Sequence, residues 1–204
     1  MPPMTDVTSS AVDRFWRWFA DNDDRLFHFE RDQEPTFDAL AAAMSDVDPD
    51  LTFEFGPVQE GRRDFVISAG GIKRGFDAVQ RLSAAAPASH RWNVIPFRPR
   101  RPIGNIIEFD GVRVDPASVE YSLLSSKTAV GIYLFIPGYT EGDSRFGQSA
   151  YLLLDEALGE YDVETKLGLI KMFSPEAETN GPRYPLVELP DHFDDIYQRL
   201  TAGA

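Results

Sequence analysis

Cysteine is missing from all 204 residues, which excludes disulfides, thiol nucleophiles and zinc sites built on thiolates. Histidine is scarce. His28, His90 and His192 stand far apart, and no two of them have metal-ligand spacing such as H-x-x-x-H, so no metal site is expected. No apolar run approaches the roughly 20 residues that cross a bilayer. The opening MPPMTD has neither the basic start nor the apolar core of a signal peptide. Together these absences predict a cytoplasmic protein with no redox chemistry of its own, no cofactor and no membrane partner. Catalytic strings are missing too. There is no G-x-S-x-G elbow, and Ser125-Ser126-Lys127 lacks the S-x-x-K spacing of serine–lysine hydrolases. No catalytic residue is assigned.

Positive charge is also in deficit: 20 Lys and Arg against 33 Asp and Glu give a net charge of −13. The long-range field repels phosphate, so nucleic acid is not an expected partner. Between Gly61 and Arg113, however, ten basic residues face four acids, which makes this stretch net +6 and the flanks together −19. Two readings fit. The acidic arms fold back and pair with the middle, which is the commoner outcome, or the middle forms an anion-binding patch.

Two short segments would carry the second reading. Ser68-Ala-Gly-Gly-Ile-Lys-Arg-Gly75 follows an expected strand and opens a helix, where phosphate-binding loops sit. Its binding groups would be the Gly70 and Gly71 amides with Lys73 and Arg74. It matches neither the dinucleotide fingerprint nor the P-loop, and a tight turn with a cap is the commoner meaning of such a string. Arg98, Arg100 and Arg101 lie between prolines that hold them extended and splayed. Guanidinium forks grip carboxylates and phosphates, whether from a ligand, an acidic partner surface or the chain's own acids. Farther on, Asp155, Glu156, Glu160, Asp162 and Glu164 crowd together. Their pattern reads as a solvated face rather than a carboxylate pair with divided pKa values.

What is present predicts an α+β fold. Ala129 to Ile136, AVGIYLFI, is apolar on both faces and belongs in the middle of a sheet, with Pro137-Gly138 ending it. A helix starts at Ser9 or Ser10 with Val12, Phe15, Trp16 and Phe19 on one face; the acids after Asp21 turn the chain. Pro35 opens a second helix. Strands are expected at 51–55, 64–68 and 92–97, the last at an edge or bulged because of Pro96. Asp110-Gly111 marks a type I′ hairpin. Strands at 119–124 and 128–136 lead to a helix ending at Gly159, then a long strand over 163–173 with a bulge or close contact at Gly168. A last helix follows Pro190. The order strand, strand, helix, strand thus occurs twice, about 51–97 and 119–173, in a mixed or antiparallel sheet. Two N-terminal helices and the C-terminal helix pack outside. Residues 1–8 read as a flexible tail and 9–204 as one continuous domain.

Phe-Trp-Arg-Trp-Phe at 15–19, Val66-Ile-Ser-Ala-Gly-Gly-Ile72, Ala86-Pro87 with Trp92, and Leu-Gly-Glu-Tyr-Asp-Val at 158–163 resemble landmarks of bacterial proteins of similar length with no assigned activity. The resemblance implies a bacterial cytoplasmic protein and carries over no site residues. Function is then expected from composition: a non-catalytic interaction protein for a protein partner, and one of basic charge. The alternative is an enzyme or small-ligand sensor that holds a phosphorylated or carboxylated molecule with Lys73, Arg74, Arg98, Arg100 and Arg101. Trp16 and Trp18 point to different sides of one helix, so one of them docks on the second helix or makes a homodimer contact.

Overall fold

The computed structural model describes residues 10–125, 129–179 and 181–202. The expected tail over 1–8 lies outside them, as do Ser126 and Lys127 of the link between two strands. The protein belongs to the α+β class, with helices at its N-terminal and C-terminal ends. Its chain divides into two compact units, Met1–Phe97 and Arg98–Ala204. The halves expected around 51–97 and 119–173 fall one in each.

In the N-terminal unit, α1 (Ala11–Asp21) begins at Ser10, whose hydroxyl accepts from the Asp13 amide while the Asp13 carboxylate accepts from the Ser10 amide. This reciprocal cap uses Asp where Glu is usual. α2 (Asp23–Phe27), a 3-10 turn (Phe29–Arg31) and α3 (Gln33–Ser45) follow. The sequence reading has two helices here; the structure has three. Asp23 and Asp24, unfavourable at the end of α1, occupy the first turn of α2, where the helix dipole welcomes acids.

The sheet of this unit comprises β1 (Thr52–Gln59), β2 (Arg62–Ser68) and β3 (Trp92–Pro96), with α4 (Phe76–Ala84) between β2 and β3. β1 runs antiparallel to β2 and β3 parallel to it, so β3 is an edge strand, as Pro96 requires. Aromatic rings fill the core: Phe19 lies 5.0 Å from Phe65 and 5.1 Å from Trp92, and Phe55 5.4 Å from Phe65. Trp16 buries its ring and donates Nε1–H to the Leu82 carbonyl, 2.9 Å away. Trp18, half-buried, packs on the same core.

The C-terminal unit starts with a hairpin of β4 (Ile107–Phe109) and β5 (Val112–Val114). Asp110 (φ 46°) and Gly111 (φ 78°) both have the positive φ that a type I′ turn needs. The main sheet has the order β8-β7-β6-β9, from β6 (Glu120–Ser125), β7 (Val130–Phe135), β8 (Leu167–Phe173) and β9 (Tyr184–Pro185). β7 is central, antiparallel to β6 and parallel to β8. Val130, Ile132, Leu134 and Ile136 have no exposure and Phe135 only 1%, so both faces of the apolar stretch are covered. α5 (Ser144–Leu158), α6 (Glu160–Lys166) and α7 (Leu189–Ala202) complete the unit.

α6 corrects the expected strand over 163–173. Val163, Thr165 and Leu167 alternate, but Glu160 and Asp162 lie in a first helical turn and Lys166 in the last, which suits the dipole. The strand begins only at Leu167. Gly168 sits at a register shift, where Leu167 pairs with Val130 and Leu169 with Gly131. A Cβ there would lie 2.8 Å from the Cβ of Ala129, so glycine is required by close approach as well as by the bulge.

Candidate functional site

Lys73 and Arg74 form a 3-10 turn ahead of α4 and are exposed. Gly70 and Gly71 have φ 58° and 78° and make a tight turn, with the Gly70 amide donating to Ser68 Oγ at 2.9 Å. The Arg74 guanidinium grips the Asp50 carboxylate through Nε and through Nη2, the latter at 2.8 Å. That pair holds the Asp50 carboxyl below its ordinary range.

Arg98, Arg100 and Arg101 come together on the junction of α5 and α6. The Arg98 amide donates to a Glu160 carboxylate oxygen and the Glu160 amide to the Arg98 carbonyl, both at 3.0 Å. The Arg98 guanidinium reaches Asp155 at 3.4 Å. Arg100 donates to the Leu158 carbonyl at 2.9 Å and binds Asp162 at 2.9 Å and Asp194 at 2.8 Å. The Arg101 amide donates to the Glu156 carbonyl at 2.8 Å. The segment is a strap fastened by its backbone and by its forks.

The acids around 155–164 are therefore not a solvated face. Asp155 is 8% exposed and Glu160 fully buried. Burial pushes the Asp155 carboxyl up to about 7, with the nearby Glu160 and Glu164 charges adding to the rise and Arg98 opposing it. Gly159 makes the arrangement possible: with φ 81° and ψ 144° it ends α5, and a Cβ would lie 3.3 Å from the Arg98 carbonyl oxygen. Gly159→Ala is expected to cost about 1–3 kcal/mol through a backbone region nearly confined to glycine. Chemical denaturation of the single variant measures it, and a loss under half a kcal/mol would show that the strap yields freely.

The more open chemistry of this unit lies on β6 and α7, where sequence reading placed nothing. Tyr121 Oη and His192 Nδ1 are 2.5 Å apart, and His192 Nε2 faces Glu188 at 3.8 Å. Burial, followed by the charge of Glu188, raises the Tyr121 phenol well above its ordinary range, so it keeps its proton at neutral pH. Tyr184 sets its ring edge-on to His192 at 4.7 Å. Ser122 Oγ donates to the Pro182 carbonyl at 2.6 Å and Arg183 to the Pro175 carbonyl at 2.6 Å, which fastens the chain just ahead of Tyr184 on β9. Tyr121, Tyr184 and His192 thus border a cleft of about 240 Å³. No local pattern signals it, because Tyr121 and His192 are 71 residues apart.

Neither a protein-family model, nor a curated protein, nor a solved structure matches the chain. Among the described residues no helix is long and apolar enough to cross a membrane, and no three His, Asp or Glu side chains are grouped so as to share a metal ion.

Proposed function

We propose that the protein is a non-catalytic binding protein whose partner is a protein of basic charge. The observation that carries this reading is the disposition of charge. Arginines of the basic stretch are turned onto the chain's own acids: Arg63 on Glu30, Arg74 on Asp50, Arg91 on Asp23, Arg98 on Asp155 and Arg100 on Asp194. Each unit nonetheless keeps an acid excess, with 16 acids against 10 bases in residues 1–97 and 17 against 10 in 98–204. What the molecule offers at long range is negative potential, which steers and orients a basic protein. A phosphorylated or carboxylated ligand held by the same stretch would have to displace Asp50, Asp155, Asp162 or Asp194 from its guanidinium.

Native mass spectrometry of the chain isolated gently from cells that make it tests the proposal. The expected result is a complex with one protein of net positive charge, present at low ionic strength and lost at high salt. A chain that flies alone, as a pair of copies or with a small adduct would overturn it. A companion thermal-shift series with inorganic phosphate, nucleotides and sugar phosphates is expected to show no rise. A ligand present at 100 times its Kd would add about 2.7 kcal/mol of stability, so a true binder would be seen.

A further inference from the structure

The cleft between β6, β9 and α7 has chemistry that such a partner would meet. Its walls are aromatic and aliphatic, supplied by Tyr121, Leu123, Tyr184 and Ile196, and Asp195 stands at its side. At about 240 Å³ it falls below the roughly 300–1,000 Å³ of pockets for drug-sized molecules and matches a single long side chain. Glu188 stands 3.8 Å from His192 at the cleft wall, and with Asp191, which also acts on the Tyr121 phenol, and Asp195 it outweighs Arg199 among the charges about the cleft. Arg199 lies one turn beyond Asp195 at the cleft. Their spacing would let the two pair, yet neither is engaged in an ion pair among the described residues.

We infer that this cleft receives one lysine or arginine side chain of the basic partner, its charged head on the Asp195 carboxylate and its alkyl stem along the Tyr184 ring. The inference rests on the protein-binding reading above and says where that binding is anchored. A long cationic side chain is apolar along its stem and charged only at its tip, which is the sequence of surfaces the cleft presents. The exposed face of Tyr184, 37% accessible, adds the attraction of a ring for a cation. A carboxylate-bearing occupant would have Arg199 alone in its favour against Asp195, Glu188 and Asp191.

The test is a ¹⁵N NMR titration of the full chain with N-acetyl-arginine amide and N-acetyl-lysine amide, with N-acetyl-norleucine amide as the uncharged control. The cations are expected to give saturable shifts at the amides of Tyr184, His192, Asp195 and Ile196, and norleucine none. Asp195→Asn keeps the shape of an exposed side chain, so folding is not at stake, and it should weaken the binding about two- to fivefold. Tyr184→Ala provides the second variant, with loss of affinity expected again. Shifts scattered over the acidic surface without saturation, an equal response to norleucine, or unchanged affinity in Asp195→Asn would overturn the inference. A basic protein captured in the mass-spectrometric experiment alongside a silent cleft would retire the cleft and leave the partner reading standing. Saturable binding at the cleft with no captured partner would do the reverse.

Discussion

Phe65→Ala is expected to remove about 3–5 kcal/mol from the N-terminal unit, the usual cost of emptying a fully buried phenylalanine site. Phe65 has no exposure and stands on β2, the strand flanked on both sides in its sheet. Its ring is met by Phe19 at 5.0 Å, Phe55 at 5.4 Å and Trp16 at 6.3 Å. These neighbours come from α1 and β1, so they cannot collapse into the gap without moving separate elements, and the loss belongs at the high end of the range. Against a total stability of roughly 5–15 kcal/mol for a domain, one truncation removes a large share. Urea denaturation followed by tryptophan fluorescence reads the change, because Trp16 and Trp92 lie in the same cluster. Val58→Ala, on β1 and 45% exposed, is the control and should stay within about 0.5 kcal/mol. A Phe65→Ala loss below about 1 kcal/mol would mean that the aromatic cluster repacks as a fluid, contrary to a close-packed interior.

The elements that sequence reading locates are those whose cause is local. Ser10 caps α1 through the residue three positions on. Asp110-Gly111 makes its turn by itself, and Gly159 ends α5. β7 is legible because being apolar on both faces states its place in a sheet without reference to its neighbours. α6 is misread because a short helix beside a strand shares alternation with it over only a few residues, and the decisive feature, the new first turn after Gly159, is a matter of backbone direction.

The candidate site is hidden for a related reason. A run of acids at a helix end reads as wet unless its cations are known, and Arg98 lies 57 residues before Asp155. The charge reversal over 61–113 is visible in sequence, and so is internal pairing as its commoner meaning. What no pattern shows is which acid each arginine takes: Arg91 reaches back 68 residues to Asp23 and Arg100 forward 94 to Asp194. Composition gives the sign of the surface left over, and only the fold gives the cleft formed where β6, β9 and α7 meet.

The second large effect is one of pH. Asp155 is expected to make the C-terminal unit less stable as pH rises from about 4 to about 7. In the unfolded chain this carboxyl has its ordinary value of 3.8, and in the folded protein burial raises it to about 7. Between those values the folded state keeps a proton that the unfolded state has released, so stability falls as pH rises, by about 1.4 kcal/mol per unit at most. Below pH 4 both states are protonated, and above pH 7 both are ionised, so the slope from this group ends at each side. The whole span amounts to about 4 kcal/mol at most, and it is present in full at the acid end. Asp194 works in the opposite sense: Arg100 holds its carboxyl below the ordinary range, so its contribution is lost as pH falls. The difference between wild type and Asp155→Asn removes Asp194 and every other common term. Asparagine retains an oxygen that can accept from Arg98 and has no proton to release. The variant should match the wild type near pH 4, gain on it steadily above, and be the more stable protein at pH 8. Unfolding free energies at a series of pH values measure this. A difference that stays flat from pH 4 to pH 8 would mean that Asp155 is ionised throughout, its charge fully met by Arg98, and that the strap over the α5–α6 junction carries a stable ion pair rather than a buried carboxylic acid.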